Sequence, residues 1–361
     1  MIRKILLGLV ILAAAAIAAL WWFTRPLPIL TVTSWAGPYG QAQDRAMMRP
    51  FAAARHVDTR LALWDGELSD VAQAVRTKTY KGDVIDFELP RAVEACRRGL
   101  LEHIDAASLP PGADATPAAR DFVPGAIGPC WVGSIVYSQV IVFAPHRFGA
   151  AAPATLADFF DTKNFPGRRA LSRASPKFNL EMALLADGVA PADIYRTLST
   201  PQGVDRAFAK LKALGPIWAH DSHDALAWVR NGQAVMATAL NGDVFDASRQ
   251  GFLPGVIWDR QLYELDVFAI PAGNPRKALA LDFIRFATGT APLARTASWL
   301  AYGPARRSAW NEIGDNPELK ISMTSFQPTA HFATAFAVDD GWWQNHMAAL
   351  MPRWQAFVAQ Q

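Results

Sequence analysis

Apolar residues along this chain fall into two alternating rhythms. After Pro26-Leu27-Pro28, the β-branched run Ile29-Leu30-Thr31-Val32-Thr33 predicts a short strand. Met47, Met48 and Phe51 then share one face of a helix-like stretch. Arg60–Trp64 predicts a second strand. Val71, Ala74 and Val75 mark a helix closed by Gly82, and Asp83–Phe87 a third strand. Pro90 opens the next helix in its first turn, and Gly99 follows its end. Strand alternating with helix in this way predicts a largely parallel α/β sheet.

The texture changes near residue 135. Ser134–Ala144 (SIVYSQVIVFA) is a long, strongly strand-like run that predicts a crossing between two lobes. A second α/β region follows. Its expected helices are Thr155–Asp161, Asn179–Ala186, one capped by Thr200-Pro201 with Val204, Phe208, Leu211 and Leu214 on its apolar face, and Ala278–Ala287. Its expected strands are Ala170–Ser172, Ala234–Leu240 and Glu264–Pro271. The last 20 residues read as helix with an interruption at Pro352.

Length and charge narrow the picture. The 361 residues leave room for about two domains. The formal charge is +3, and +1 without Arg3 and Lys4. A near-neutral body has no bulk attraction for nucleic acid. Residues 1–25 join a short basic start to an apolar run from Ile5 to Phe23. That run predicts a signal peptide, with Ala16-Ile17-Ala18 as its small-residue site, or an uncleaved N-terminal anchor with Trp21 and Trp22 at the interface. Either places the remainder outside the cytoplasm, in the periplasm, where Cys96 and Cys130 are expected to form a disulfide. No Cys follows the run to carry a lipid.

Catalytic signatures are missing from the sequence. There is no G-x-S-x-G, no P-loop, no C-x-x-C and no H-E-x-x-H. His220-Asp221-Ser222-His223-Asp224 offers two histidines at i, i+3, and the rival reading is a periplasmic metal-dependent hydrolase. The simpler reading is a polar loop whose Ser or Asp caps the helix running to Arg230. Gly37-x-x-Gly40 is open to two readings, an anion cradle and a turn. No enzyme activity and no cofactor are expected.

The order of several blocks carries a resemblance. Leu30–Tyr39 (LTVTSWAGPY), Gly82–Leu89 (GDVIDFEL) and Cys130–Ser138 (CWVGSIVYS) come first. Phe159–Ala170 (FFDTKNFPGRRA), Glu181–Val189, Thr200–Phe208 and Leu240–Ala247 (LNGDVFDA) follow. Tyr263–Pro271 (YELDVFAIP) and Ala301–Pro304 (AYGP) complete the series. Together they resemble bacterial ABC-transporter extracellular solute-binding proteins of the spermidine/putrescine-binding type.

The resemblance implies an α/β, two-lobed type II periplasmic-binding-protein fold with a ligand cleft between the lobes. Lobe I is expected to comprise 27–140 and 265–312, and lobe II 141–264 and 313–361. The expected function is capture of a small cationic or zwitterionic, polyamine-like solute for the permease of an ABC importer, by a monomer. Family pockets sandwich an alkyl-amine between aromatic rings and bind its ammonium with carboxylates. Carried over by position, Trp35, Tyr39 and Tyr302 are the aromatic residues, Asp266 the amine-binding carboxylate, Asn241 a pocket-loop residue and Gln344 a polar contact.

Departures from the family pattern bear on the solute. Ser175-Pro176-Lys177-Phe178-Asn179 carries no acid where the family has its second carboxylates. Leu240 and Glu264 replace tryptophans, and Asp86-Phe87-Glu88-Leu89 replaces a polar loop. Arg168, Arg169 and Arg173 form a solvated surface run or receive an acidic group. An opine, another amino-acid derivative or a phosphonate is therefore the alternative solute class. A retained N-terminal helix would instead suit a sensor ectodomain.

Overall fold

The computed structural model describes residues 26–63 and 66–360. The leader or anchor expected at 1–25 lies outside the described residues. Ten strands form one sheet: β1 (Ile29–Ser34), β2 (Asp58–Leu63), β3 (Val84–Glu88), β4 (Trp131–Phe143), β5 (Arg169–Ser172), β6 (Ile217–Ala219), β7 (Met236–Leu240), β8 (Gly255–Ala269), β9 (Gly303–Pro304) and β10 (Phe336–Ala337). Their order is β2-β1-β3-β8-β4-β7-β5-β6, with β9 on β4 and β10 on β8.

The sheet is less parallel than the sequence rhythm suggests. β1, β2 and β3 run parallel, as do β5, β6 and β7. Between these sets, β8 and β4 pair antiparallel with each other and with their outer neighbours. These long strands join two apolar cores. Val132 and Val136 of β4, with Leu265 and Val267–Ile270 in and after β8, pack into a core with Met47, Phe51 and Phe283. Further along the same strands, Ile141, Phe143, Ile257 and Leu262 pack into a second core with Phe159, Leu211 and Trp354. β4 is buried along most of its length, which explains its near-continuous apolar sequence.

Local chemistry fixes several boundaries. Thr155 and Asp158 make a capping box on helix Leu156–Phe160. The Thr200 hydroxyl accepts from the Gly203 N–H at the start of Pro201–Leu214, which ends in left-handed Gly215. The terminal helix Asp340–Ala359 runs through Pro352 without a break. Trp343 and Trp354, buried on either side, hold it against the second core and outweigh the lost backbone hydrogen bond. Cys96 and Cys130 are disulfide-bonded with Cα atoms 5.9 Å apart. Among the described residues, no helix is long and apolar enough to cross a membrane.

Candidate functional site

Antiparallel register concentrates acids on one face of the central strands. Directly opposed residues point to the same face, as do residues two apart on a strand. Glu88 of β3 lies opposite Asp266 of β8, and Tyr137 of β4 lies opposite Glu264. Asp86, Glu88, Glu264 and Asp266 therefore share that face. Like charges placed opposite one another weaken a sheet, so this patch costs stability.

A cavity of about 320 Å³ opens on the patch. Trp35, Tyr39, Tyr137, Phe245 and Tyr302 supply aromatic wall. The Tyr39 and Tyr302 rings meet edge to face, with centroids 5.5 Å apart. The charged side chains that line the cavity are Glu88, Asp243, Asp246 and Asp266, all acidic. Glu88 stands exposed at the rim, whereas Asp266 is buried.

Asp266 has a second carboxylate beneath it. Asp86 is fully buried and accepts hydrogen bonds from Gln43 Nε2 (2.9 Å), the Ser34 hydroxyl (3.1 Å) and the Ser134 hydroxyl (3.3 Å). An irregularity in the β4–β8 register at Ser134 turns its hydroxyl to a place where it reaches both Asp86 and the Asp266 carbonyl. Burial raises the Asp86 pKa to about 7, against the pull of these donors. Burial, then the charges of Asp86, Glu88 and Glu264, push Asp266 well above the ordinary carboxylate range. Asp266 Oδ1 is buried without a hydrogen bond, and the buried Tyr39 hydroxyl lies near enough to both carboxyls to pull the pKa of Asp86 and of Asp266 down. An unpartnered carboxylate oxygen beside an aromatic-walled cavity is suited to a ligand that donates hydrogen bonds.

Beside this site, Lys177 reaches Asp340 Oδ1 at 2.8 Å and also pairs with Glu264, which accepts from the Tyr137 hydroxyl at 3.0 Å. All three charged groups are largely withdrawn from solvent. The family's second-carboxylate position is thus occupied by a lysine whose charge is already paired.

Of the residues carried over from the family, Trp35, Tyr39, Asp266 and Tyr302 line the cavity. Asn241 lies behind its wall, with both ends of its amide committed: Oδ1 accepts from the Ser138 N–H at 2.8 Å, and Nδ2 donates to the Ala301 carbonyl. It starts helix Asn241–Arg249, which presents Asp243 and Asp246. Gln344 donates to the Pro90 carbonyl and ties the terminal helix to helix Leu89–Arg97. Sequence reasoning missed Asp86, Glu88, Tyr137, Asp243 and Asp246 as a group. The signal for the first two was present, since acids two apart in a strand share a face.

The remaining candidates resolve simply. Asp221 caps helix Ser222–Asn231, and His223 is exposed. Among the described residues, no group of three His, Cys, Asp or Glu could hold a metal ion. Gly37, at φ 78°, makes a turn, and a Cβ on Gly40 would lie 2.5 Å from the Trp35 carbonyl oxygen. Arg169 departs from the surface-run reading. It is buried and donates to the carbonyls of Phe159, Asp161, Phe165 and Gly167, while Arg168 and Arg173 are exposed.

Known proteins share this fold and much of this sequence. A gamma-aminobutyric acid-binding protein of Pseudomonas aeruginosa is 34% identical over 334 residues, which cover 91% of each chain. The PBP MotA of A. tumefaciens B6, solved with glucopine, superimposes with TM-score 0.68 at 25% identity, over 91% of this chain and 99% of that one. The PBP AgtB of A. tumefaciens R10, solved with agropinic acid, gives TM-score 0.65 at 26% identity, over 93% and 100%. The Atu4243 GABA receptor gives 0.73 at 25% identity, over 92% and 98%. A family model described as bacterial extracellular solute-binding protein matches residues 46–321. With its two cores, its intervening cleft and these relatives, the chain belongs to the bacterial extracellular solute-binding proteins and is the solute-capturing component of an ABC importer.

Proposed function

We propose that the solute is a small linear molecule with a primary ammonium group, held against Asp266 beside the rings of Tyr39 and Tyr302. The observation that carries this reading is the charge of the lining, which is acidic at every charged position. An ammonium group donates to Asp266 Oδ1 and gains about 0.5–2 kcal/mol from each aromatic face it lies over. Trp35 adds a further wall. Asn241 acts as a positioning residue for the helix that carries Asp243 and Asp246, and Gln344 as a contact between lobes. The two cores support lobe boundaries near 140 and 265, with closure of the lobes over the solute.

Two features bear on the far end of the solute. Two of the relatives are named for gamma-aminobutyric acid, which favours a carboxylate there. Asp243 and Asp246, across Tyr302 from Asp266, favour a second ammonium and hence a diamine. Calorimetry with gamma-aminobutyric acid, putrescine and succinate, on the wild type and Asp266→Asn, separates these readings. At least one of the two amines should bind and weaken by about 30-fold or more in the variant, the cost of leaving one partner of a buried charge pair. Binding of succinate alone, or amine binding unchanged by Asp266→Asn, overturns the proposal.

A further inference from the structure

Resting on the reading of this cavity as an ammonium site, we propose that Asp86 and Asp266 share one proton while the cavity is empty and release it when an ammonium group binds. Solute capture then expels a proton. The geometry carries the idea. Asp86 has no exposed surface, Asp266 is 6% exposed, and they lie diagonally on adjacent strands of one sheet face. Two carboxylates in such a place cannot both stay charged without a cation.

Among the described residues, the surroundings supply no free cation. From β3 comes Glu88, and from β8 Glu264. From the helix Asn241–Arg249 come Asp243 and Asp246. Lys177 brings positive charge to this region, but Glu264 and Asp340 engage it. Arg91 acts on Glu88 at the rim. Ser34, Gln43 and Ser134 donate to Asp86, and the hydroxyls of Tyr39 and Tyr302 approach from the cavity side. Asp86 is well supplied with donors, whereas Asp266 Oδ1 has none. When the ammonium arrives, its N–H takes the place of the carboxyl O–H at Asp266, and the displaced proton passes to solvent. The buried positions of Asp86 and Asp266 raise both pKa values in the direction the proposal requires.

Two measurements test this, one of them without ligand. Infrared spectra of the unliganded protein, labelled on aspartate with a heavy carbonyl isotope, should show a protonated carboxyl band near neutral pH that Asp86→Asn abolishes. Calorimetry with gamma-aminobutyric acid or putrescine, in buffers of different ionisation heat, should report about one proton released in the wild type. Affinity should rise about tenfold from about pH 6 to about pH 7. Release should vanish in Asp86→Asn and persist in Asp340→Asn, which excludes the Lys177 cluster as the source. No Asp86-dependent band, or binding heats independent of buffer, overturns the inference. If neither amine binds, the ammonium reading fails on its own, and the infrared result still decides the shared proton.

Discussion

Lys177→Met should destabilise the protein far more than a surface lysine would. The side chain is 15% exposed, and its partners Glu264 and Asp340 are 5% and 3% exposed. Burial alone would lower its pKa, but the charges of Glu264 and Asp340 hold it above the ordinary lysine range. Removing the ammonium leaves two buried carboxylates with no counter-charge, a change that costs about 3–5 kcal/mol. At ~2.1 cal/mol/K of unfolding entropy per residue over roughly 330 residues, that is a fall in Tm of about 4–7 °C. The loss depends on pH. Asp340 is already pushed up to about 8, by burial first and the Glu264 charge next. Its folded pKa exceeds its unfolded one, so the folded state holds the extra proton between the two. Stability therefore falls as pH rises through that window, and the variant's deficit grows above about pH 8, where Asp340 loses its proton in the wild type and, without Lys177, keeps it in the variant. Thermal unfolding of the wild type, Lys177→Met and the triple variant Lys177→Met/Glu264→Gln/Asp340→Asn reads this out. The triple variant should recover most of the loss, since removing all the charges removes the desolvation penalty. A single-variant fall below about 1 °C, or a deficit that is flat from about pH 7 to about pH 9, refutes the reasoning.

Two further predictions concern other parts of the molecule. Cys96→Ala/Cys130→Ala opens a covalent loop with a sequence separation of 34. It should cost about 4 kcal/mol in denaturant unfolding, with the solute affinity kept. Gly242→Ala places a Cβ 2.7 Å from the Tyr302 hydroxyl and 2.9 Å from its Cε1, which drives the ring into the cavity. Affinity for an amine ligand should fall about tenfold or more, while thermal stability changes little because alanine favours the helix by about 1 kcal/mol.

Much of the fold was legible in the residues. Thr200-Pro201 and Gly215 bracket a helix by capping chemistry alone, and Asn179–Ala186 matches its expected bounds. The first half of β8 was not legible. Gly255–Tyr263 carries Asp259, Arg260 and Gln261 among its apolar residues. These fall in an irregularity between the Ile141–Ile257 and Gln139–Leu262 pairs with β4, a break in the ladder that no local pattern encodes. Helix Thr290–Trp299 was missed as well, since buried Thr290, Thr296 and Ser298 break its apolar rhythm. Thr296 and Ser298 return their hydroxyls to the carbonyls of Pro292 and Ala294 one turn earlier in the same helix, which lets them be buried without a partner from elsewhere.

The site divides along the same line. Trp35, Tyr39, Tyr302 and Asp266 could be named by position because each lies within an identifiable block. The acid patch could not, because it depends on register between strands remote in sequence. Asp86 and Asp266 are 180 residues apart, and only the pairing of β3 with β8 brings them to one face. That pairing also explains the charge pattern of the whole cleft. A sheet face with Glu88 opposite Asp266 is a poor solution for stability. Lys177 relieves one end of it by neutralising Glu264, and it stands where the family would place acids. What remains uncompensated is concentrated at Asp266 and Asp86, under the aromatic rings. The fold thus places the largely buried Lys177 away from the cavity and leaves the negative charge there to be met by protons or by the solute, so the affinity for an ammonium group and the cost of the empty site arise from one arrangement.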